Sequence, residues 1–245
     1  MKSLLNHWRW MRIALVTITC ISYCELRTAL VPRSRKFHLY TELMRFWGSW
    51  FLLGNRYTIE GTGNIPRNDA VVFASNHQSI FDIPLFHALL PAPFRWMSRE
   101  DLFSWPFIGR ALRSMKGIPV YRDSHARNRL AWEQGIDTLK NGHSIVIFPE
   151  GTWGDREGRM RPFKKGILRI SREAGVPVVP VTIVGSNEVN PPFTRKIHPG
   201  AIRMIVHPAM GPDTWEGVQD EDWLEELRTC IARPLKHGTD PADAI

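Results

Sequence analysis

Between residues 57 and 207 the chain alternates short, densely apolar runs with longer segments of helical periodicity, and this alternation narrows the possible folds more than any other feature. Runs at 57–60, 71–75, 94–97, 117–121, 145–148, 178–184 and 203–207 read as strands, rich in Val, Ile and Phe. Segments at 82–90, 107–116, 126–141, 166–174 and 223–235 read as helices, the third of them stopped by Asn141-Gly142. Short apolar strands separated by helices point to a layered α/β fold with a largely parallel sheet. The expected fold is therefore α/β: a layered domain over 54–237 with a largely parallel, about seven-stranded sheet flanked by helices. A flexible tail is expected over 238–245.

In sheets of this kind, functional groups gather where strands end and helices begin. Three polar loops fall there: "NHQSIFD" after the second strand, "YRD" after the fourth, and "PEGTWGDREGR" after the fifth. In the first loop, a five-residue offset between His77 and Asp82 turns about 500° on a continuous helix, so the side chains would diverge. They meet only if His77 lies in the loop and the helix starts near Asp82. Pro84 supports that start, because proline is tolerated in a first helical turn. Ser79-x-x-Asp82 also reads as a capping box, which accounts for Ser79 and Asp82 but gives His77 no task. An imidazole beside a carboxylate is a standard general base. In the third loop, Pro149 and Gly151 shape a tight turn, Glu150 and Thr152 supply polar groups, and Lys164 and Lys165 bring cations back toward it. Such a loop suits an anion, although a Gly-rich surface turn has the same composition.

Charge and cysteine content narrow the class of function. The 245 residues carry a net charge of +8, with nine Lys or Arg against three acids in residues 1–60 and fifteen against eight in 99–172. A basic front of this kind fits either a nucleic-acid ligand or a surface of anionic lipid and phosphorylated substrate. Nucleic-acid binding is not expected, because the aromatic residues cluster in the apolar N-terminus and no reader fold is evident. Cys20, Cys24 and Cys230 are too few and too poorly spaced for a disulfide framework or a metal site, and they suit a reducing compartment. No metal ligands are expected.

Residues 1–53 form a separate expectation. The uncharged run from Ile13 to Cys24 is shorter than the ~20 residues of a membrane span. It fits an uncleaved anchor, a re-entrant hairpin or an interfacial helix. Further on, Phe37, Tyr40, Leu43, Phe46, Trp47, Trp50 and Phe51 recur at helical spacing. Trp8, Trp10, Trp47 and Trp50 beside Arg9, Arg12, Arg33, Arg35 and Lys36 suit a headgroup region. A membrane-contacting helical segment is expected here, against the plainer reading of two helices packed on the main domain.

Taken in order, "NHQSIFD", "GIPVYR", "FPEGT…PFKKG" and "VPVVPV" resemble the glycerolipid acyltransferase family, whose best-known members are the 1-acylglycerol-3-phosphate acyltransferases. The resemblance runs from about Arg56 to His207. It implies that His77 deprotonates an acceptor hydroxyl, which attacks the thioester of acyl-CoA or acyl carrier protein, while Asp82 holds and polarises His77. No cofactor is implied beyond that acyl donor. Arg122 matches the basic residue of the family's second motif, and Glu150, Gly151 and Thr152 match the third, associated with the glycerol phosphate. Arg99 stands where relatives often carry lysine, and Lys165 joins the basic contacts. Pro180 matches the fourth motif.

One departure is Trp153, where many phosphatidate-forming relatives have arginine. Arg156, Arg159 or Arg161 offers a replacement guanidinium; otherwise the acceptor changes. The expected partners are thus membrane lipids, a lysophospholipid acceptor and the acyl donor. The expected site is membrane-associated with its catalytic domain on the cytoplasmic side. The alternatives are another lysophospholipid or a lyso-aminolipid as acceptor and, more remotely, a non-catalytic basic membrane-surface module.

Overall fold

The computed structural model describes residues 2–67, 69–121, 124–155 and 159–236. The expected tail at 238–245 lies outside them. Two long helices open the chain, α1 (Lys2–Ala29) and α2 (Arg33–Phe51). There follow β1 (Arg56–Glu60), β2 (Val72–Ser75), α3 (Asp82–Leu89), β3 (Phe94–Arg99), α4 (Ile108–Ser114) and β4 (Ile118–Val120). The chain then continues through α5 (His125–Lys140), β5 (Ser144–Ile147), α6 (Gly166–Ala174), β6 (Val178–Val184), a single turn α7 (Ser186–Val189), β7 (Ala201–Val206) and α8 (Asp220–Lys236).

The seven strands form one sheet in the order β1-β7-β6-β2-β5-β3-β4, and every neighbouring pair is parallel except β6–β7. The largely parallel α/β sheet read from the alternation of elements is therefore present. The helix α8 begins three residues before Trp223, where apolar periodicity placed it. Asp220, Glu221 and Asp222 fill its first turn, where carboxylates favour the helix dipole.

Alternation along the central strands sends side chains into two apolar layers. Phe73, Val146, Val179, Val181 and Ile183 face a layer that also contains Trp47, Phe51, Phe81, Leu85 and Phe86 from α2 and α3. Val72, Ala74, Ile145 and Val178 face the layer formed with Ile136, Leu139, Ile167, Leu168, Trp223 and Leu227 from α5, α6 and α8. Because both faces are covered, β2 can be buried at all four positions.

The N-terminal helices are antiparallel: Trp47 Nε1 donates to Thr17 Oγ1 at 3.1 Å, and Arg12 reaches the carbonyls of Trp50 and Leu53. The inner face of α2 belongs to the main core, with Tyr40, Met44 and Leu52 buried. Its contact with α3 depends on Gly48, where a Cβ would stand 2.4 Å from the Pro84 carbonyl oxygen. The plainer reading of this segment, two helices packed on the main domain, is thus realised for α2. The outer face of α1 is apolar and exposed. Leu4, Trp8, Met11, Leu15 and Ile18 recur along it at intervals of three and four.

Behind α3, His87 is buried against Trp47, Phe94 and Trp96, and it accepts a hydrogen bond from Trp96 Nε1 at 3.0 Å. Burial lowers its pKa from the ordinary 6.5 to about 3. The folded state therefore holds His87 neutral where the unfolded chain would already be protonated. Stability from this group is fully present above pH 6.5 and is lost as pH falls toward 3. On that basis His87 alone costs roughly 2 kcal/mol between pH 6.5 and 5. His87→Gln, which keeps an acceptor but does not titrate, should flatten the acid limb of stability measured by urea unfolding across this range.

Candidate active site

β2 lies between β5 and β6, and the chain passes from one side of it to the other between those two strands. That crossing is the kind of switch point at which open α/β sheets place their sites. Asn76 continues the end of β2 with its side chain. Its Oδ1 accepts from the Ile183 N–H and its Nδ2 donates to the Ile183 carbonyl, both at 2.8 Å. This amide clamp fixes the backbone one residue before His77.

The histidine is then held from four directions. Its Nδ1 lies 2.8 Å from Asp82 Oδ2, so Nδ1 carries the proton and the Nε2 lone pair is left for a substrate. Asp82 is fully buried, and the same Oδ2 also accepts from the backbone N–H groups of Gln78 and Ser79 at 2.8 and 2.9 Å. Phe148 stacks on the imidazole with centroids 4.0 Å apart and planes 10° from parallel, and the indole of Trp153 stands edge-on at 6.0 Å. On the backbone, the His77 N–H donates to Glu150 Oε1 at 2.9 Å, and its carbonyl accepts from the Gly154 N–H at 2.8 Å. The side chain keeps an exposure of 16%.

The capping reading of this segment is partly realised. Asp82 accepts from the Ser79 N–H, but the Ser79 hydroxyl accepts from the Phe81 N–H rather than engaging Asp82. One carboxylate oxygen thus ties down the loop before α3 and orients His77.

Glu150, expected among the substrate contacts, is buried to 3% exposure. Both its oxygens are occupied by backbone donors, His77 N–H on Oε1 and Arg161 N–H at 2.7 Å on Oε2. Burial raises its pKa, and the two N–H donors oppose that shift. Its place is a brace between two loops. Gly151 makes the turn with φ +71°, and its N–H donates to the Phe148 carbonyl. Lys164 packs over it, with Nζ 2.7 Å from where a Cβ would stand. Thr152 is half-buried on the same turn.

The remaining expected cations sit differently. Lys165 pairs with Glu221 on α8, so the lysine beside the loop is Lys164. Arg99 ends β3 and makes a two-point ion pair with Asp101 at 2.9 and 2.6 Å. Arg122 and Arg156 lie outside the described residues. Arg159 engages Asp155, and Arg161 Nε donates to the Trp153 carbonyl at 3.0 Å. Cys24 is buried, with its thiol pushed up to about 12, far from nucleophile chemistry. Pro180 lies within β6, paired with Ala74 of β2.

Sequence reasoning missed the clamp at Asn76, the stacking of Phe148, and the apolar partner of Trp153, which is Phe193 at 5.4 Å. Only Asn76 carried a signal, as a polar residue placed directly behind a wholly apolar strand.

The His77–Asp82 pair thus sits at the carboxyl edge of a doubly covered, largely parallel sheet. The chain belongs to the acyltransferase family, whose model matches residues 56–184, just over half of its length. The chloroplastic 1-acyl-sn-glycerol-3-phosphate acyltransferase of Arabidopsis thaliana is 34% identical over 207 residues, covering 83% of this chain and 56% of that protein. The enzyme of the same name from Borreliella burgdorferi is 33% identical over 77% of this chain and 75% of its own length. The chain thus spans about half the length of its plant relative and three-quarters of the bacterial one. The crystal structure of the 1-acyl-sn-glycerophosphate acyltransferase from Thermotoga maritima shares the fold. Its TM-score is 0.83 at 23% identity, over 98% of this chain and all of the other.

Removing the brace should destabilise the site. Glu150→Ala leaves two backbone N–H groups without their acceptor, at a cost of about 2–4 kcal/mol. Urea denaturation of the variant measures this loss.

Proposed function

We propose that the protein is a 1-acylglycerol-3-phosphate O-acyltransferase that moves a fatty acyl chain from acyl-CoA or acyl carrier protein to the free hydroxyl, giving phosphatidate. The observation that carries this reading is the His77–Asp82 pair at 2.8 Å, with Nε2 directed away from the carboxylate. His77 Nε2 takes the hydroxyl proton as the oxygen attacks the thioester carbonyl. Asp82 stabilises the imidazolium that forms. Collapse of the tetrahedral intermediate breaks the carbon–sulfur bond, and the departing thiolate recovers the proton from His77. No covalent acyl-enzyme is needed, which agrees with a histidine whose hydrogen-bond partners among the described residues include no hydroxyl or thiol. The names of the relatives support the acceptor, and the basic groups at Lys164 and Arg161, on the loop that closes over His77, offer charge for its phosphate.

A second acceptor is favoured by one observation. Trp153, not a guanidinium, stands next to the base, and an indole offers a single N–H where arginine grips a phosphate with two. Another lysophospholipid, or a lyso-aminolipid, fits this wall.

The same reading places the protein on a membrane surface. No helix among the described residues is long and apolar enough to cross one. The exposed stripe of α1, with Phe46, Trp50 and Leu53 beside it, supports docking in the interfacial plane. The three free cysteines favour the cytoplasmic side.

Thiol release from acyl-CoA with lysophosphatidate tests the reaction. His77→Ala should lower turnover by about 10³-fold or more, and Asp82→Asn by roughly 10²–10⁴-fold, with unfolding midpoints near wild type for His77→Ala. Full turnover in His77→Ala would remove the proposed base. On a lysolipid panel, Trp153→Arg should shift preference toward phosphate-monoester acceptors by about tenfold, and an unchanged ranking would reject the second reading. Replacing Trp8, Met11 and Leu15 together by glutamine should release the protein from anionic vesicles in a sedimentation assay.

A further inference from the structure

The loop at 190–199 departs from its surroundings in two ways. Phe193 adopts φ +61°, a left-handed conformation that a bulky side chain rarely takes, and the residue is 55% exposed. An outlier of this kind persists only where its surroundings impose it, and such residues gather at functional sites. The loop folds on itself: Asn190 Nδ2 donates to the Lys196 carbonyl at 2.7 Å, and Thr194 Oγ1 to the Pro191 carbonyl at 2.8 Å. The strained residue's ring meets Trp153, centroid to centroid at 5.4 Å, and Trp153 in turn meets His77 at 6.0 Å.

The other end of the loop is fastened to the N-terminal part of α1. Asn6 Nδ2 donates to the Arg195 carbonyl at 2.8 Å, and Asn6 Oδ1 accepts from the Ile197 N–H at 2.9 Å. Trp10 Nε1 donates to the Arg195 carbonyl at 2.7 Å, and Arg9 to the Ile197 carbonyl at 2.6 Å. Four hydrogen bonds across more than 180 residues of sequence thus join one face of a helix to this short stretch of loop. The exposed stripe of Leu4, Trp8 and Met11 lies on the opposite face of that same stretch of α1. A displacement of α1 therefore has a continuous path to the imidazole, through Arg195, Phe193 and Trp153.

We propose that Phe193 is a positioning residue for His77, acting through Trp153, and that the Asn6–Arg9–Trp10 fastening makes the rate at His77 depend on the seating of α1. The proposal rests on His77 acting as the base. The Phe193 ring packs on the indole at 5.4 Å, and the indole meets the imidazole at a steep angle of 69°, a contact separate from those of Asp82 and Phe148. The effect belongs to turnover rather than acceptor affinity. Phe193 bears no charge for a phosphate, and the Arg9 guanidinium is turned to the Ile197 carbonyl.

The test uses the full-length protein and two readouts. Phe193→Gly tolerates the left-handed backbone and removes only the ring; Phe193→Trp restores a ring. Asn6→Ala combined with Trp10→Phe loosens the fastening at a distance from the site. The proton resonance of His77 Cε1–H, followed by NMR across pH, reports ring placement without any turnover. Its shift should move in Phe193→Gly and in the double variant, and return toward wild type in Phe193→Trp. With a short-chain lysophosphatidate below its micelle concentration, kcat should fall about tenfold in Phe193→Gly at nearly constant KM. A His77 resonance and kcat unchanged in both Phe193→Gly and the double variant would overturn the proposal. If wild-type protein turns over no lysolipid, the proposed activity fails, and the resonance alone still decides the positioning.

Discussion

The site depends on a single buried carboxylate that braces two loops. Glu150 joins the His77 N–H, at the end of β2, to the Arg161 N–H, on the returning arm of the loop after β5. Neighbouring parallel strands fix the distance between their ends, but they do not fix the loops that leave them. Glu150 supplies that connection, and the Gly154 N–H closes it from the other side of His77. An acceptor with two oxygens suits this position because each oxygen can meet a different loop's donor. Breaking such a link costs the desolvation of two donors, far more than a surface hydrogen bond contributes.

With the backbone of His77 fixed in this way, the side-chain geometry follows from few further parts. Asp82 Oδ2 serves the loop that leads into α3 and the imidazole together, so the same oxygen holds the Gln78 and Ser79 amides and orients His77. Phe148 supplies a flat surface that fixes the plane of the ring. The apolar side of the site is a short series of ring contacts: Trp96 stacks behind Phe148, and Phe86 meets Phe148 edge-on.

Much of the fold was legible because parallel, doubly covered strands leave a strong mark: consecutive apolar residues between helical segments. The bounds of α6 and β6 coincide with those read from the sequence, the other strands and helices read between 57 and 235 differ by a few residues at their ends, and the single turn α7 was not read. The His77–Asp82 pair was legible for a related reason, since Pro84 restricts where α3 can start. The role of Glu150 was not. A carboxylate in a Gly-rich turn reads equally well as a ligand-binding group or as a brace, and only the positions of its backbone partners separate the two. The cations behaved similarly, because adjacent lysines point to different sides of the chain: Lys164 covers Gly151 while Lys165 reaches α8. Phe193 was illegible for a further reason, as the loop that carries it is fastened to α1, nearly two hundred residues away in sequence.

The contact at Gly48 gives a residue without a side chain a say in the placement of the site. With room for only a hydrogen between α2 and the Pro84 carbonyl, any larger residue there would have to part α2 from α3, the helix that carries Asp82 at its first position. The partner of His77 is thus placed in part by an atom that position 48 leaves out.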